Sequence, residues 1–416
     1  MSGDRRHSAS SPEEQALLSA AVGGRVEALR RLLQQGVSPD CYDSFGEPAA
    51  HLAARFGNAA ALAELLAAGV DVRDVGPIGQ TLLHCMAPYP PVHGLLDEVI
   101  GRGADIDARN DAGQTPLMTA TYNTCVAGLD ALLARGAAVD VRDHEGSNVL
   151  LLFVRGCGAH WPPREAVARL RLLRDLIVLG VDPLQHGAQG DNAVTAAARG
   201  GLDAVLSLFA DQIGALAVAT ARTAQGEPGV DVAAFHGHAQ TVQQLLRLGA
   251  AHDLLCAASL GDVAAMRRLV EADRVSARRV FGSGWHRSTA LAAAIRNGHA
   301  DAALWLLADG ADANGTCPEI SMLHAAMRHC PDDALVRALI ASGADLESSD
   351  GDGNTPLNFA ARHDRLSAAR LLLAAGANPN AETERGYTPD QFAVSEAMRG
   401  LLRNHRKTQG ASSGGR

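Results

Sequence analysis

"NDAGQTPLMTATYNTCVAGLDALLARGAAVDVR" (residues 110–142) and "DGDGNTPLNFAARHDRLSAARLLLAAGANPNAE" (350–382) are each 33 residues long and correspond position by position. Gly113 and Gly353, fourth in their units, supply the positive φ that a tight turn needs. Thr115-Pro116 and Thr355-Pro356 follow, a helix cap with proline at the first helical position. The apolar spacing then predicts two helices, each shorter than the ~12–15 residues that are stable alone, so a unit persists only by stacking on its neighbours. Gly136 and Gly376 close the second helix.

The pattern D-x-x-G-x-T-P-L-x-x-A, then L-L-x-x-G-A-D, at this period resembles the ankyrin repeat. On that template the chain holds about twelve units, beginning near residues 12, 43, 76, 110, 143, 187, 223, 252, 284, 315, 350 and 383. The resemblance implies an all-α repeat solenoid of stacked helix-turn-helix repeats with β-hairpin fingers. An N-terminal stack at 12–222 opens with a capping repeat and contains an enlarged repeat at 143–186; a C-terminal stack at 223–403 is degenerate at 223–283 and ends in a capping repeat at 383–403. Residues 1–11 and 404–416 read as disordered tails, the second basic and rich in Gly and Ser. His51, His84 and His324 fall on the His of TPLH, where the resemblance implies hydrogen bonds between adjacent turns.

Composition agrees with closely packed small helices. The chain is 47% hydrophobic but only 4% aromatic, so its cores are chiefly Ala and Leu. A net charge of −9 argues against nucleic-acid binding by the molecule as a whole. Lys407 is the only lysine, an Arg bias that points to a GC-rich, bacterial genome. Seven cysteines without a CxxC pair point to free thiols in a reducing compartment, and no apolar leader opens the chain. The expected location is the cytoplasm, with export as an effector by a route that needs no Sec signal as the alternative.

Several stretches suggest chemistry and then lose it. "DGDGNT" (350–355) alternates acids as a calcium loop does, but Thr355 replaces the required Gly and Ala361 the twelfth-position Glu. Cys317, His324, His329 and Cys330 lack the paired spacing of zinc ligands. Cys157 and His160, within "GCGAHWPPREAV" (156–167), have no nearby acid to orient a nucleophile–base pair. "FGSGWHRS" (281–288) has too few glycines for a phosphate loop, and the Asn314-Gly315-Thr316 sequon is what the template places there. No cofactor, metal or catalytic residue is expected. An enzyme, the alternative from a different class, would need a Cys, His, Asp or Glu trio converging within about 4 Å, with the degenerate repeats as the place to look.

The resemblance also implies where a partner binds: on finger tips and at template positions 13 and 14, the solvent side of the inner helix. Read onto this chain those positions are Arg55, Phe56, Tyr89, Tyr122, Asn123, Arg155, Arg199, Phe235, His236, Arg296, Asn297, Arg328, His329, Arg362 and His363, with Phe45 and Trp285 at finger tips. Arg and aromatic side chains dominate interface hot spots. Six guanidiniums in a row favour a partner protein with an acidic segment. Two enlarged inter-helix turns, Tyr89-Pro90-Pro91 and Trp161-Pro162-Pro163, add aromatic side chains that either cover their own helices or meet a partner. The reading is a non-enzymatic protein-binding scaffold, an intracellular regulator by preference.

Overall fold

The structure, a computed structural model, describes residues 11–156, 163–272, 280–281, 288–315, 320–330 and 333–413, with side chains for all of these except 163–164, 280–281, 288 and 407–413. The chain divides after Gly214 into two compact units. Ser11 begins the first by closing a capping box with Glu14 over the helix Pro12–Val22.

After the first pair, helices alternate short and longer in sequence order. In the first unit the inner helices are Pro12–Val22, Ala49–Arg55, Leu82–Met86, Pro116–Tyr122, Val149–Gly156 and Ala193–Gly200, each packed against the next. Their partners are Val26–Gln34, Ala59–Ala67, Leu96–Gly101, Val126–Leu133, Pro163–Val178 and Asp203–Ile213. The second unit opens with Ala215–Ala219. Its inner helices Gly229–Phe235, Leu254–Ser259, Ala290–Arg296, Met322–His329, Pro356–Arg362 and Pro389–Phe392 pair with Ala239–Arg247, Val263–Ala272, Ala300–Ala308, Asp333–Ala341, Leu366–Ala374 and Glu396–Ser413. Each unit is an all-α repeat stack.

Inner helices are apolar all round because helices flank them on several sides: every residue from Ala290 to Ile295 is buried, most of them alanine. Alanine lets backbones approach closely and costs no side-chain entropy. The caps act as the sequence implies, Thr115 accepting from the Met118 amide and Thr355 from the Asn358 amide. Gly113 has φ +75°, and a Cβ there would sit 2.9 Å from the backbone nitrogen of His144 in the next finger. The finger glycine therefore serves both the turn and the stacking of one finger on another.

The fingers differ from the β-hairpins expected. Among the described residues one two-residue ladder pairs Val280–Phe281 with Ser288–Thr289, and Tyr42–Pro48, Val75–Thr81 and Arg222–Pro228 are single bridges. In three fingers, one of them the Tyr42–Pro48 finger, an Asp or Asn side chain takes the bonds that a longer ladder would supply. Asp43 Oδ1 accepts from the amides of Phe45 and Glu47, and Asn110 and Asp350 repeat the arrangement. An Asx turn closes these fingers with at most a single bridge.

Two boundaries move. Ala215–Ala219 belongs to the second unit, which places the division before residue 222. The last helix runs through 404–413, expected as tail, and Arg406 pairs with Asp390 at 2.6 Å. Residues 1–10 and 414–416 lie outside the described residues.

Candidate functional site

A histidine ladder fixes the inner helices in register. His84 Nδ1 meets Thr81 Oγ1 at 2.8 Å and its Nε2 lies 2.8 Å from the Gln114 carbonyl of the next repeat. His324 makes the same two contacts with Ser321 and Asn354, and His51 reaches the Gln80 carbonyl at 3.1 Å. Burial pushes all three imidazoles below their ordinary pKa, His51 to about 4, so each stands as a neutral ring tying two repeats together. This spends His324 and removes it from any zinc set. Cys330 is buried with its thiol toward the Ile295 carbonyl, and Cys317 lies outside the described residues.

At the same rung two repeats carry Asp231 and Cys256. With Asp253, their ligand atoms lie within 4.8 Å of one another, the trio among the described residues that comes near enough to share a cation. Burial, with Asp253 adding to it, pushes Asp231 up to about 7. Burial and both carboxylates push the Cys256 thiol above its ordinary range, and it lies 3.9 Å from Asp231 as a donor. A nucleophilic or metal-binding cysteine needs the opposite, an electropositive setting that stabilises thiolate. The sequence signal was available, since both residues occupy the His position of TPLH.

The partner-binding positions fall into two chemical groups. In the first unit the aromatics stand in solvent: Phe45 is 80% exposed, Phe56 56% and Tyr122 64%, with Tyr89 partly so and Asn123 exposed beside Tyr122. Ile78, at the finger-tip place that Phe45 holds one repeat earlier, is 55% exposed and extends this set. The arginines there are engaged. Arg55 pairs with Glu47 at 2.9 Å and donates to Gln80 Oε1. Arg199 pairs with Asp191 at 2.8 Å, and Arg155 approaches the same carboxylate at 3.9 Å.

In the second unit the arrangement inverts. Phe235, expected in solvent, is 8% exposed, because Arg296 from two repeats along lies over its ring at 4.6 Å. That reach exists because the intervening repeat has no finger: only three residues separate Gly249 from the helix cap Asp253. Asn297 crosses the same gap to the Ala234 carbonyl at 3.3 Å and is half-buried, a tie between repeats more than an open contact. His236 is half-buried, edge-on to Phe235. Arg328, His329, Arg362 and His363 are exposed, and the Phe359 ring lies 4.3 Å from His363. Trp161 and Trp285, with Cys157 and His160, lie outside the described residues.

The geometry matches known proteins in segments. A family model described as ankyrin repeats (many copies) matches residues 17–66 and 323–373, and another, ankyrin repeats (3 copies), matches 231–317. The Ankyrin repeat and LEM domain-containing protein 1 homolog of Caenorhabditis elegans is 38% identical over 72 residues, 17% of this chain and 10% of that protein. Human Neurogenic locus notch homolog protein 4 is 53% identical over 49 residues, 12% and 2% respectively, and human BCL-6 corepressor-like protein 1 is 33% identical over 131 residues, 31% and 7%. The chain thus spans a tenth or less of these relatives' lengths. Among solved structures the human ASB11 ankyrin repeat domain aligns with TM-score 0.47 and 25% identity over 58% of this chain and all of that one. The matches identify the helix pairs within residues 17–66, 231–317 and 323–373 as ankyrin repeats.

Proposed function

We propose that this chain is a non-enzymatic scaffold of about twelve ankyrin repeats that binds a partner protein along its finger tips and inner-helix ends. Ankyrin repeats generally mediate protein–protein interactions. The observation that carries the reading is the exposed set Phe45, Phe56, Ile78, Tyr89 and Tyr122 in a chain that is only 4% aromatic. Large apolar side chains held in water on consecutive repeats have a use when a partner covers them. The exposed guanidiniums of the second unit support an acidic segment in that partner, and the net charge of −9 supports a protein over a nucleic acid. Five described cysteines are free thiols, which supports a reducing compartment and a cytoplasmic regulator. No helix among the described residues is long and apolar enough to cross a membrane.

The test is affinity purification from the native cell with wild type and with Phe56→Ala/Tyr122→Ala, two exposed truncations that leave the cores intact. Loss of a co-purifying protein supports the reading. An identical set of co-purifying proteins contradicts it.

A further inference from the structure

Arg296, Arg328 and Arg362 lie in the last turns of three consecutive inner helices, Ala290–Arg296, Met322–His329 and Pro356–Arg362, which pack side by side in that order. In the first unit two such arginines are held by an acid eight residues before them, just ahead of the helix cap, Glu47 for Arg55 and Asp191 for Arg199, while Arg155, with Ser147 at that place, reaches Asp191 of the next repeat. The residues at that place in the second unit are Ser288, Ile320 and Asn354, none of them acidic. No carboxylate forms an ion pair with any of the three guanidiniums among the described residues. Arg296 is nonetheless held in place, over the Phe235 ring.

The cations form one field. Burial lowers the pKa of His329, and Arg328 and Arg296 lower it further. Burial likewise lowers that of His363, helped by Arg362, Arg328 and Arg365. Each histidine senses a guanidinium from its own repeat and another from the repeat before.

We infer that the ends of these three inner helices form a docking strip for a polyproline-type peptide segment carrying a carboxylate at every third residue. The inference rests on the scaffold reading above and assigns its acidic contact to one place. Packed helices stand about 8–10 Å apart. A polyproline helix has ~3 residues per turn and rises ~3.1 Å per residue, so residues three apart share one face about 9 Å apart. One carboxylate then meets one guanidinium per repeat, in a charge-assisted pair stronger than a neutral hydrogen bond. A β-strand fits less well, since residues three apart point to opposite faces. A run of adjacent acids places one carboxylate on the strip and the others off it.

The test is fluorescence anisotropy with the full chain and a labelled peptide of three Glu-Pro-Pro triplets, against a composition-matched peptide with its glutamates adjacent and a Gln-Pro-Pro version. The spaced peptide is expected to bind most tightly, and Arg328→Glu and Arg362→Glu each to weaken it at least about tenfold. Arg55→Gln, at a paired arginine, is expected to leave affinity within about twofold. Both charge reversals fall on exposed residues, and a thermal melt within a few degrees of wild type shows that the stack stands. Equal binding of spaced and clustered peptides, no effect of Arg328→Glu, or tighter binding of oligothymidylate than of the spaced peptide overturns the inference. If the peptide fails to bind while the aromatic variant still loses its protein partner, the strip is wrong and the scaffold reading survives.

Discussion

Arg55 and Arg328 hold the same template place in the two units and behave oppositely. Arg55 lies half-buried between Glu47 and Gln80, whereas Arg328 stands in solvent with no carboxylate partner among the described residues. The difference lies in one residue eight positions earlier, Glu47 against Ile320. Phe56 and Phe235 show the reverse contrast, the first in solvent and the second covered where it lies under Arg296. Repeats of one helical pattern thus present an apolar anchor in one unit and a cationic strip in the other, through single side chains and one missing finger.

The buried rung separates the two units most strongly. His51 in the first unit has its pKa lowered from 6.5 to about 4 by burial. Its stabilising contribution is complete above the unfolded value and is lost as pH falls from about 6.5 towards 4, a loss on the order of 3 kcal/mol from this group. Asp231 in the second unit has the opposite sign: raised from 3.8 to about 7, it favours the fold at low pH and loses that advantage as pH rises through 7. Asp231→Asn is therefore expected to raise the urea midpoint at pH 8 by the equivalent of about 2 kcal/mol, with the gain vanishing near pH 4. An equal shift at both pH values would contradict the burial account. Asp191→Ala, which strands Arg155 and Arg199 together, is expected to cost about 2 kcal/mol by urea unfolding. Arg328→Ala is expected to cost less than about 0.5 kcal/mol, because it removes no partner.

The smallest effect sharpens the strip. His329 faces Arg328 and Arg296, and His363 faces Arg362, Arg328, Arg365 and the Phe359 ring. Burial and the neighbouring guanidiniums hold both imidazoles below their ordinary pKa. Each gains charge as pH falls, and glutamates remain ionised at pH 5.5. Affinity for the spaced glutamate peptide should rise about two- to fivefold between pH 7.5 and 5.5, measured at constant ionic strength. A flat or inverted profile would remove the histidines from the site.

Much of the backbone was legible in the sequence. Glycine spacing, Thr-Pro caps and the 33-residue period each state a local backbone requirement, and these agree across the chain. The fingers were misread because Asp43, Asn110 and Asp350 close their turns through side chains, which leaves little for a ladder to do. The exposure of Arg328 and Arg362 followed from template position. The pairing of Arg55, Arg155 and Arg199 did not, because it depends on a contact eight residues away or in the next repeat, outside the i to i+4 spacing by which helix pairs are usually read. The burial of Phe235 was harder still, arising from a missing finger that lets Arg296 cross an entire repeat.

If an acid eight residues before the inner-helix arginine decides whether that arginine is free, then supplying one should close the strip. Ile320→Glu places a carboxylate where Glu47 stands relative to Arg55, with Ile320→Gln as the uncharged control. The most direct measurement is the dissociation constant of the three-triplet Glu-Pro-Pro peptide for the full chain carrying each substitution. The account predicts binding about fivefold or more weaker for Ile320→Glu and unchanged for Ile320→Gln. Equal affinity in both variants would contradict it.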